Sequence, residues 1–561
     1  MSSSSGSAAL GGSKTPVDSG TAEPAAAANT AAANTGAANT AGAEPEAPGG
    51  ARPGAHDAGP AWTRFTPPAV AFLMCLWGIT TPSFWRDEAA TIAAVRRPFG
   101  DLFRMLGNVD AVHSLYYVLM WPLVHLFGSG EFVMRLPSAL AAAVTAAAVA
   151  AIGRRVYSPW AGLAAGLFFA VLPVVSRYGQ EARPYALVIA LATVASYLLV
   201  RVLGAEPAQR RRWLIGYGAS VAVLGIANIF GLLLIPAHAV TVALELRRRA
   251  AGTERTRLAA GWLAAVVSGV VVTSPMLVIG WMQKGQVSWI GVNRSSSGPG
   301  TLLTLSGSAV VTAVVFAVIV IAVVLSSQAG GVRSAVSRWR IADLSLPWMV
   351  LPPAILFGAS VISPIYTSRY VLMCIPAVAL LGGAAIVALG RVAGPVALVV
   401  VAVAGLTTQL TQRAPYGHYD NIRALDKIVA ANARPGDVVL YPNPNAESFG
   451  AAYSYGLAKL PDIDLAKAAI PSGTLAGTSV PLPELRSRLR QVSRVWVVEI
   501  NKCVAQPRML ALSGQPVGPA LDGLPFGFVR MWHERGDWLL LFSRGAGAQA
   551  AVAACAPAPK S

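Results

Sequence analysis

The chain has 561 residues, 54% of them hydrophobic and only 12% charged, whereas an ordinary soluble domain carries roughly 25% charged residues; its mean hydropathy is +0.55. These values exclude a conventional soluble enzyme and place most of the chain in a lipid bilayer. The formal charge of +18 arises from 44 basic and 26 acidic residues, but the arginines fall in short clusters between apolar runs, a pattern of membrane topology and anionic lipid rather than of nucleic-acid binding.

Residues 1–60 are built from Ser, Gly, Ala, Thr, Asn and Pro in a loose AAAANT, AAANT, GAANT repeat. Such a segment buries too little apolar surface to offset the entropy of ordering, and reads as a disordered cytoplasmic tail. Apolar stretches long enough for roughly 30 Å of hydrocarbon follow near 66–84, 136–153, 158–176, 185–203, 213–229, 231–246, 259–281, 303–326, 346–362, 370–388 and 393–410, about eleven transmembrane helices in all. The 213–246 stretch depends on a break at Asn228. If it were one re-entrant element, every later loop would change sides.

With the N-terminus inside, the cytoplasmic loops hold fifteen Arg, from Arg154 to Arg391, against ten Lys and Arg in the opposite loops. That bias puts the C-terminus outside a plasma membrane. Beyond residue 411 the pattern becomes that of a small α/β domain over 412–546, with a helix at Ile422 to Ala431 and strands at Val438 to Tyr441, Arg494 to Ile500 and Trp538 to Phe542. A disordered tail, 547–561, follows. Cys75 and Cys374 lie in apolar stretches, and no cysteine has metal-ligand spacing, which leaves Cys503 and Cys555 as the candidate disulfide.

Within the membrane unit, 61–411, the informative residues lie in the outer loops. The loop at 85–135 opens with Trp85, Arg86, Asp87 and Glu88, then carries His113, Tyr116, Tyr117 and Trp121 in a segment that reads as an interface helix. A second cluster is Arg177, Tyr178, Gly179, Gln180, Glu181, Ala182, Arg183; a third is Tyr366, Thr367, Ser368, Arg369, Tyr370. Each has a plain structural reading. Asp87 and Glu88 suit the first turn of a helix, His113 suits an interface hydrogen bond, and Arg183 and Arg369 suit lipid anchoring. Their convergence on one face favours a site, because ionisable groups at membrane depth are costly.

The W-x-D-E-A run after the first apolar stretch, HSLYYVLMWPLVHLFG with EFVMRLPSAL, GRRVYSPWAGLAAGLFF and RYGQEARPYAL together resemble the family 39-like glycosyltransferases of the GT-C fold, which include protein O-mannosyltransferases and the lipid A aminoarabinose transferase. The likeness covers residues 66–203 and extends more weakly through QVSWI at 286–290 and SRYVLMCIPA at 368–377. It implies inverting transfer of a mannose-like or arabinose-like sugar from a polyprenyl-phosphate donor to an extracytoplasmic lipid, glycan or protein hydroxyl. It puts Asp87, with Glu88 beside it, at the catalytic position, and His113, Glu181, Arg183, Arg369 and Tyr370 at the substrate. His113 is followed by Ser114 and Leu115 where the family usually has two prolines. Glu88 and Glu181 could orient the acceptor or hold a divalent cation. The C-terminal domain has no cluster resembling a catalytic site and is expected to fold as a unit that assists acceptor recognition. The rival classes are a secondary transporter, which should show internal repeats and mid-membrane broken helices, and a non-catalytic membrane scaffold.

Overall fold

The computed structural model describes residues 59–285, 307–338, 340–363, 365–442, 444–500, 520–521 and 523–545. The N-terminal repeat up to residue 58, QVSWI, Cys503, Cys555 and the C-terminal tail lie outside the described residues. Each of the eleven apolar stretches overlaps at least one helix among the described residues. Among the described residues seven helices are long and apolar enough to cross a membrane, or up to eight if the pair Pro159–Val171 and Pro173–Gly179, bent by 65°, is one span. The first helix of the chain, Trp62–Leu76, is not among them: it has 15 residues, a length of roughly 22 Å. Pro207–Ala227 is longer but begins with the charged Arg210, Arg211 and Arg212.

The break at Asn228 separates two helices. Asn228 is extended, with φ −165°, and its side chain accepts a hydrogen bond from the Phe230 amide at 2.9 Å, so it ends one helix and caps the next turn. The chain then returns as Leu234–Arg248, and Arg249 Nη2 donates to the Leu203 carbonyl at 2.5 Å. The pair is therefore an antiparallel hairpin. At that same end Arg210 meets Glu254 at 2.9 Å and Arg248 meets Asp343 at 2.5 Å. The arginine clusters thus gather at one end of the bundle.

The bundle centre is packed through small residues. Helices Glu131–Val156, Pro159–Val171 and Ile375–Ala388 are rich in Ala and Gly; a side chain at Gly162 would collide with the Ala150 carbonyl, and one at Gly383 with the backbone of Ala165. Without a hydrophobic drive between helices in lipid, such close backbone approach is the main source of association.

At the other end lie three short helices of the 85–135 loop, expected from sequence to be the outer loop: Arg86–Val95, Phe99–Asn108 and Ser114–Phe127. The C-terminal region sits against them. Its helix Ile422–Asn432 and strands β1 (Val438–Leu440), β2 (Leu465–Ala468), β3 (Gly477–Ser479), β4 (Arg494–Ile500), β5 (Phe526–Glu534) and β6 (Asp537–Arg544) include every element expected from sequence. The main sheet has the order β1-β4-β6-β5, with β1 and β4 parallel and the other pairs antiparallel. Strand β5 escapes a period-two reading because its register shifts between Phe528 and Arg530.

The run Trp538–Phe542 of strand β6 is apolar at every position because both of its faces are covered. Leu540 and Phe542 pack with Leu485 and Leu489 of the covering helix. Leu539 and Leu541 join Trp496 and Val498 in one core with Phe84, Ile92, Leu102, Met105, Tyr117 and Met120 of the outer loop. The fall in hydropathy near residue 411 is therefore no boundary in packing: the C-terminal region and the outer loop share a core.

This geometry makes the topology testable. A side chain at Gly417 would collide with the Gln412 carbonyl, so Tyr416, 45% exposed, is the better labelling position at the sheet end, and the exposed Ala208 the better one at the arginine end. In a background free of other reactive thiols, an impermeant reagent is expected to label Tyr416→Cys on intact cells and Ala208→Cys only after permeabilisation. The reverse pattern overturns the orientation.

Candidate active site

Three segments meet at the sheet end of the bundle: the first turn of Arg86–Val95, the turn at 180–184, and the 3-10 segment Ser368–Cys374. Asp87 and Glu88 are neighbours in sequence, but successive helical residues point about 100° apart, and here they part company. Glu88 turns inward and is fully buried. Its Oε1 accepts from Arg135 Nε at 2.8 Å and from the Ala182 amide at 2.9 Å; its Oε2 accepts from Arg135 Nη2 at 2.7 Å and from the Trp85 amide at 3.4 Å. Burial pushes this carboxyl up, but the charge and hydrogen bonds of Arg135 outweigh that, and it is held below the usual carboxylate range. Arg135 is equally enclosed, donating also to the carbonyls of Ile79, Pro82 and Ser83 at 2.8, 2.9 and 3.0 Å.

Asp87 turns outward, with 23% of its side chain exposed. Its Oδ2 accepts from Arg369 Nη1 at 2.8 Å and lies 4.0 Å from Arg183 Nε. Arg183 reaches His113 Nε2 at 3.1 Å and the Tyr117 hydroxyl at 3.4 Å. An arginine has no acceptor, so Nε2 must accept and the ring proton must sit on Nδ1, which lies 3.4 Å from Asp110 Oδ1. Burial and the nearby Arg183 lower the His113 pKa; the imidazole is neutral and orients the guanidinium. Asp110 itself is backed by the Tyr117 hydroxyl at 2.8 Å and holds a left-handed backbone, φ 61°.

Glu181 is buried, and its Oε2 accepts from Arg177 Nη1 at 2.6 Å while Oε1 has no hydrogen-bond partner among the described residues. Burial, opposed by Arg177 and reinforced by the charges of Glu88 and Asp87, pushes its carboxyl up to about 7. Arg177 lies over the rings of Tyr419 and Trp85 at 5.2 and 5.6 Å, and Arg369 over Tyr185 at 5.9 Å. Tyr370 stacks on Phe230, ring centres 4.4 Å apart.

The expected site residues are thus unequal. Asp87, His113, Arg183 and Arg369 form one connected cluster, Glu181 lies beside it with Arg177, and Tyr370, next to Arg369 in sequence, is stacked on Phe230 and has no hydrogen bond to Asp87. Glu88 departs from its expected place beside the substrate: with both oxygens bonded to Arg135 it has no reach into the cleft, and the first-turn structural role belongs to it rather than to Asp87. The same bonds leave it unsuited to a divalent cation, and among the described residues no group of three His, Cys, Asp or Glu is arranged to hold one. Arg135, Asp110 and Arg177 went unassigned in the sequence. An arginine inside an apolar run and an Arg–Glu spacing of four across a helix end were the signals for the first and last.

The arrangement can grip an anion beside a carboxylate. A model of the dolichyl-phosphate-mannose-protein mannosyltransferase family matches residues 111–279. ArnT from Cupriavidus metallidurans, solved in the apo state, shares 15% identity at a TM-score of 0.54, with 84% of this chain and 96% of that one covered. Its structure bound to undecaprenyl phosphate gives 14% identity at the same TM-score and coverage. No curated protein matches the sequence. The fold is the GT-C fold of membrane glycosyltransferases. Over residues 111–279, and in its fold, the chain is similar to the family 39-like members of that group.

Two outcomes follow. Arg135→Met leaves Glu88 buried without its cation and should cost about 3–5 kcal/mol, read as detergent thermal unfolding; Glu88→Gln combined with it should recover part of the loss. Glu181 titrates higher in the folded protein than the ordinary 4.5, so the folded state binds the extra proton and stability falls as pH rises from about 4.5 to about 7, then levels off. Glu181→Gln should flatten that segment, by on the order of 3 kcal/mol, in unfolding measured across pH.

Proposed function

We propose that this protein transfers a sugar from a polyprenyl-phosphate donor to an acceptor hydroxyl on the extracytoplasmic side of the plasma membrane, with inversion, and that Asp87 is the general base. The carrying observation is the Asp87 carboxylate, outward-facing while Glu88 and Glu181 are buried, with the Arg369 and Arg183 guanidiniums against one of its oxygens.

Two guanidiniums, Arg369 and Arg183, face one oxygen of the Asp87 carboxylate, while Glu88 is taken up by Arg135 and Glu181 pairs with Arg177. An incoming lipid phosphate competes with Asp87 for those guanidiniums and releases the carboxylate toward the acceptor. The phosphodiester leaves as a stable anion, so little acid catalysis is needed. Its charge grows as the glycosidic bond breaks, and Arg369 and Arg183, each able to contact two oxygens, stabilise the transition state more than the ground state. Asp87 takes the acceptor proton as the anomeric carbon develops oxocarbenium character. Tyr370 and His113 support this binding, the first as a wall of the cleft and the second by orienting Arg183. The bound undecaprenyl phosphate of ArnT supports a carrier lipid of this kind. A transporter is disfavoured because the charged cluster lies at the bundle end, among loops.

Asp87→Asn keeps the shape and the acceptor oxygen for Arg369 while removing basicity. Transfer from a polyprenyl-phosphate-linked sugar in membranes should drop by about 10²–10⁴-fold, with expression and detergent melting near wild type. Near-normal turnover would sink the assignment.

A further inference from the structure

The shared core between the outer loop and the C-terminal region carries a tighter connection at the site itself. The chain leaving the last membrane helix, residues 413–423, runs along the segment 74–88 and bonds to it repeatedly. Arg413 donates to the carbonyls of Met74 and Trp77 at 2.6 and 2.7 Å; the Pro415 carbonyl accepts from the Ser83 amide at 2.7 Å; Arg423 donates to the carbonyls of Thr80 and Thr81 at 2.9 and 3.1 Å. Tyr419 lies across Trp85, ring centres 5.3 Å apart, and holds φ at 85°. A tyrosine adopts that backbone only where its surroundings enforce it.

The contact closest to Asp87 is the strongest of the set. Asp420, 1% exposed, accepts three hydrogen bonds from Arg86: from its amide at 2.8 Å, Nε at 3.0 Å and Nη2 at 2.6 Å. Asp537, the first residue of β6, is buried with Oδ1 3.8 Å from the same Nη2. One guanidinium therefore faces two buried carboxylates of the C-terminal region, and it belongs to the first residue of the helix that carries Asp87. A two-pronged arginine contact fixes orientation as well as distance. From this geometry we infer that Asp420 is a positioning residue: by holding Arg86 it sets the first turn of helix Arg86–Val95, and so aims Asp87 at Arg369 and the acceptor. The C-terminal region is then part of the catalytic apparatus and not only an aid to acceptor recognition. The link to turnover rests on the reading of Asp87 above; the mechanical link does not.

Two measurements on the full-length protein in detergent separate these. In hydrogen exchange, Asp420→Asn should speed the amides of residues 86–91 by about tenfold, the scale of losing charged hydrogen bonds, with the span 375–388 unchanged. Wild-type exchange at 86–91 overturns the inference whatever the activity. With a polyprenyl-phosphate-linked sugar as donor, Asp420→Asn should lower kcat by about 10²-fold, the scale of a small misplacement at a reacting group, with donor KM within about twofold. Arg86→Gln should do the same, the double variant should be no worse than either alone, and Asp420→Glu should recover part of the loss. Faster exchange with unchanged kcat, or additive losses in the double variant, overturns the role in positioning Asp87. If the wild type itself transfers no sugar, the enzyme reading fails and exchange alone decides the mechanical link.

Discussion

A buried ion pair, Glu88 with Arg135, sets the place of everything around it. Two full charges in a dry interior are tolerated only when every lone pair and proton finds a partner, and that requirement pulls four stretches of chain together. Arg135 draws in the carbonyls of Ile79, Pro82 and Ser83, while Glu88 draws in the amides of Trp85 and Ala182. The exit from the first helix, the first turn of the outer loop, the long helix Glu131–Val156 and the turn at 180–184 are thereby tied at one point. Asp87 and Arg183 extend from two of those stretches, so their separation is set by the pair rather than by their own mutual attraction. The same logic explains why two adjacent acids have different parts: one is consumed in building the frame, and the other points away from it to meet Arg369.

The basic residues show a similar division. Arg135 and Arg177 are each matched to a carboxylate at short range, which leaves Arg183 and Arg369 on the cleft side. His113, neutral and oriented by Asp110, adds direction to Arg183 without adding charge. A site built in this way is preorganised for an anion, because its donors are already aimed and need no reorganisation when charge develops. The aromatic rings of Trp85, Tyr185 and Tyr419 beside the guanidiniums replace water with polarisable faces that a cation tolerates well.

The C-terminal region shows how hydropathy and packing can disagree. Composition alone marks a break near residue 411, and the sheet beyond it has its own strand order and its own covering helix. Yet one face of that sheet lies in a core shared by the region's own helix Ile422–Asn432, by Phe449, and by helices of the outer loop more than 300 residues earlier in the chain. That sharing is not visible in the run WLLLF, which states that both sides are covered without saying by what.

Much of this protein is legible in its sequence for one physical reason: a bilayer admits few solutions. Apolar length names the helices, arginine bias orders the loops, and a break such as Asn228 is readable because an Asn side chain caps a turn locally. Asp87, Arg183 and Arg369 were readable as a group because three outer loops each placed ionisable residues at one end. What only the tertiary structure decided is which charge meets which. Glu88 could not be told from Asp87 by residue type, since the choice depends on the turn of a helix against Arg135, 47 positions away. Asp420 and Asp537 could not be linked to Arg86 at all, because their pairing spans the whole membrane bundle and leaves no local spacing to read. Short-range rules write themselves into sequence, whereas long-range electrostatic partnership exists only once the chain has folded.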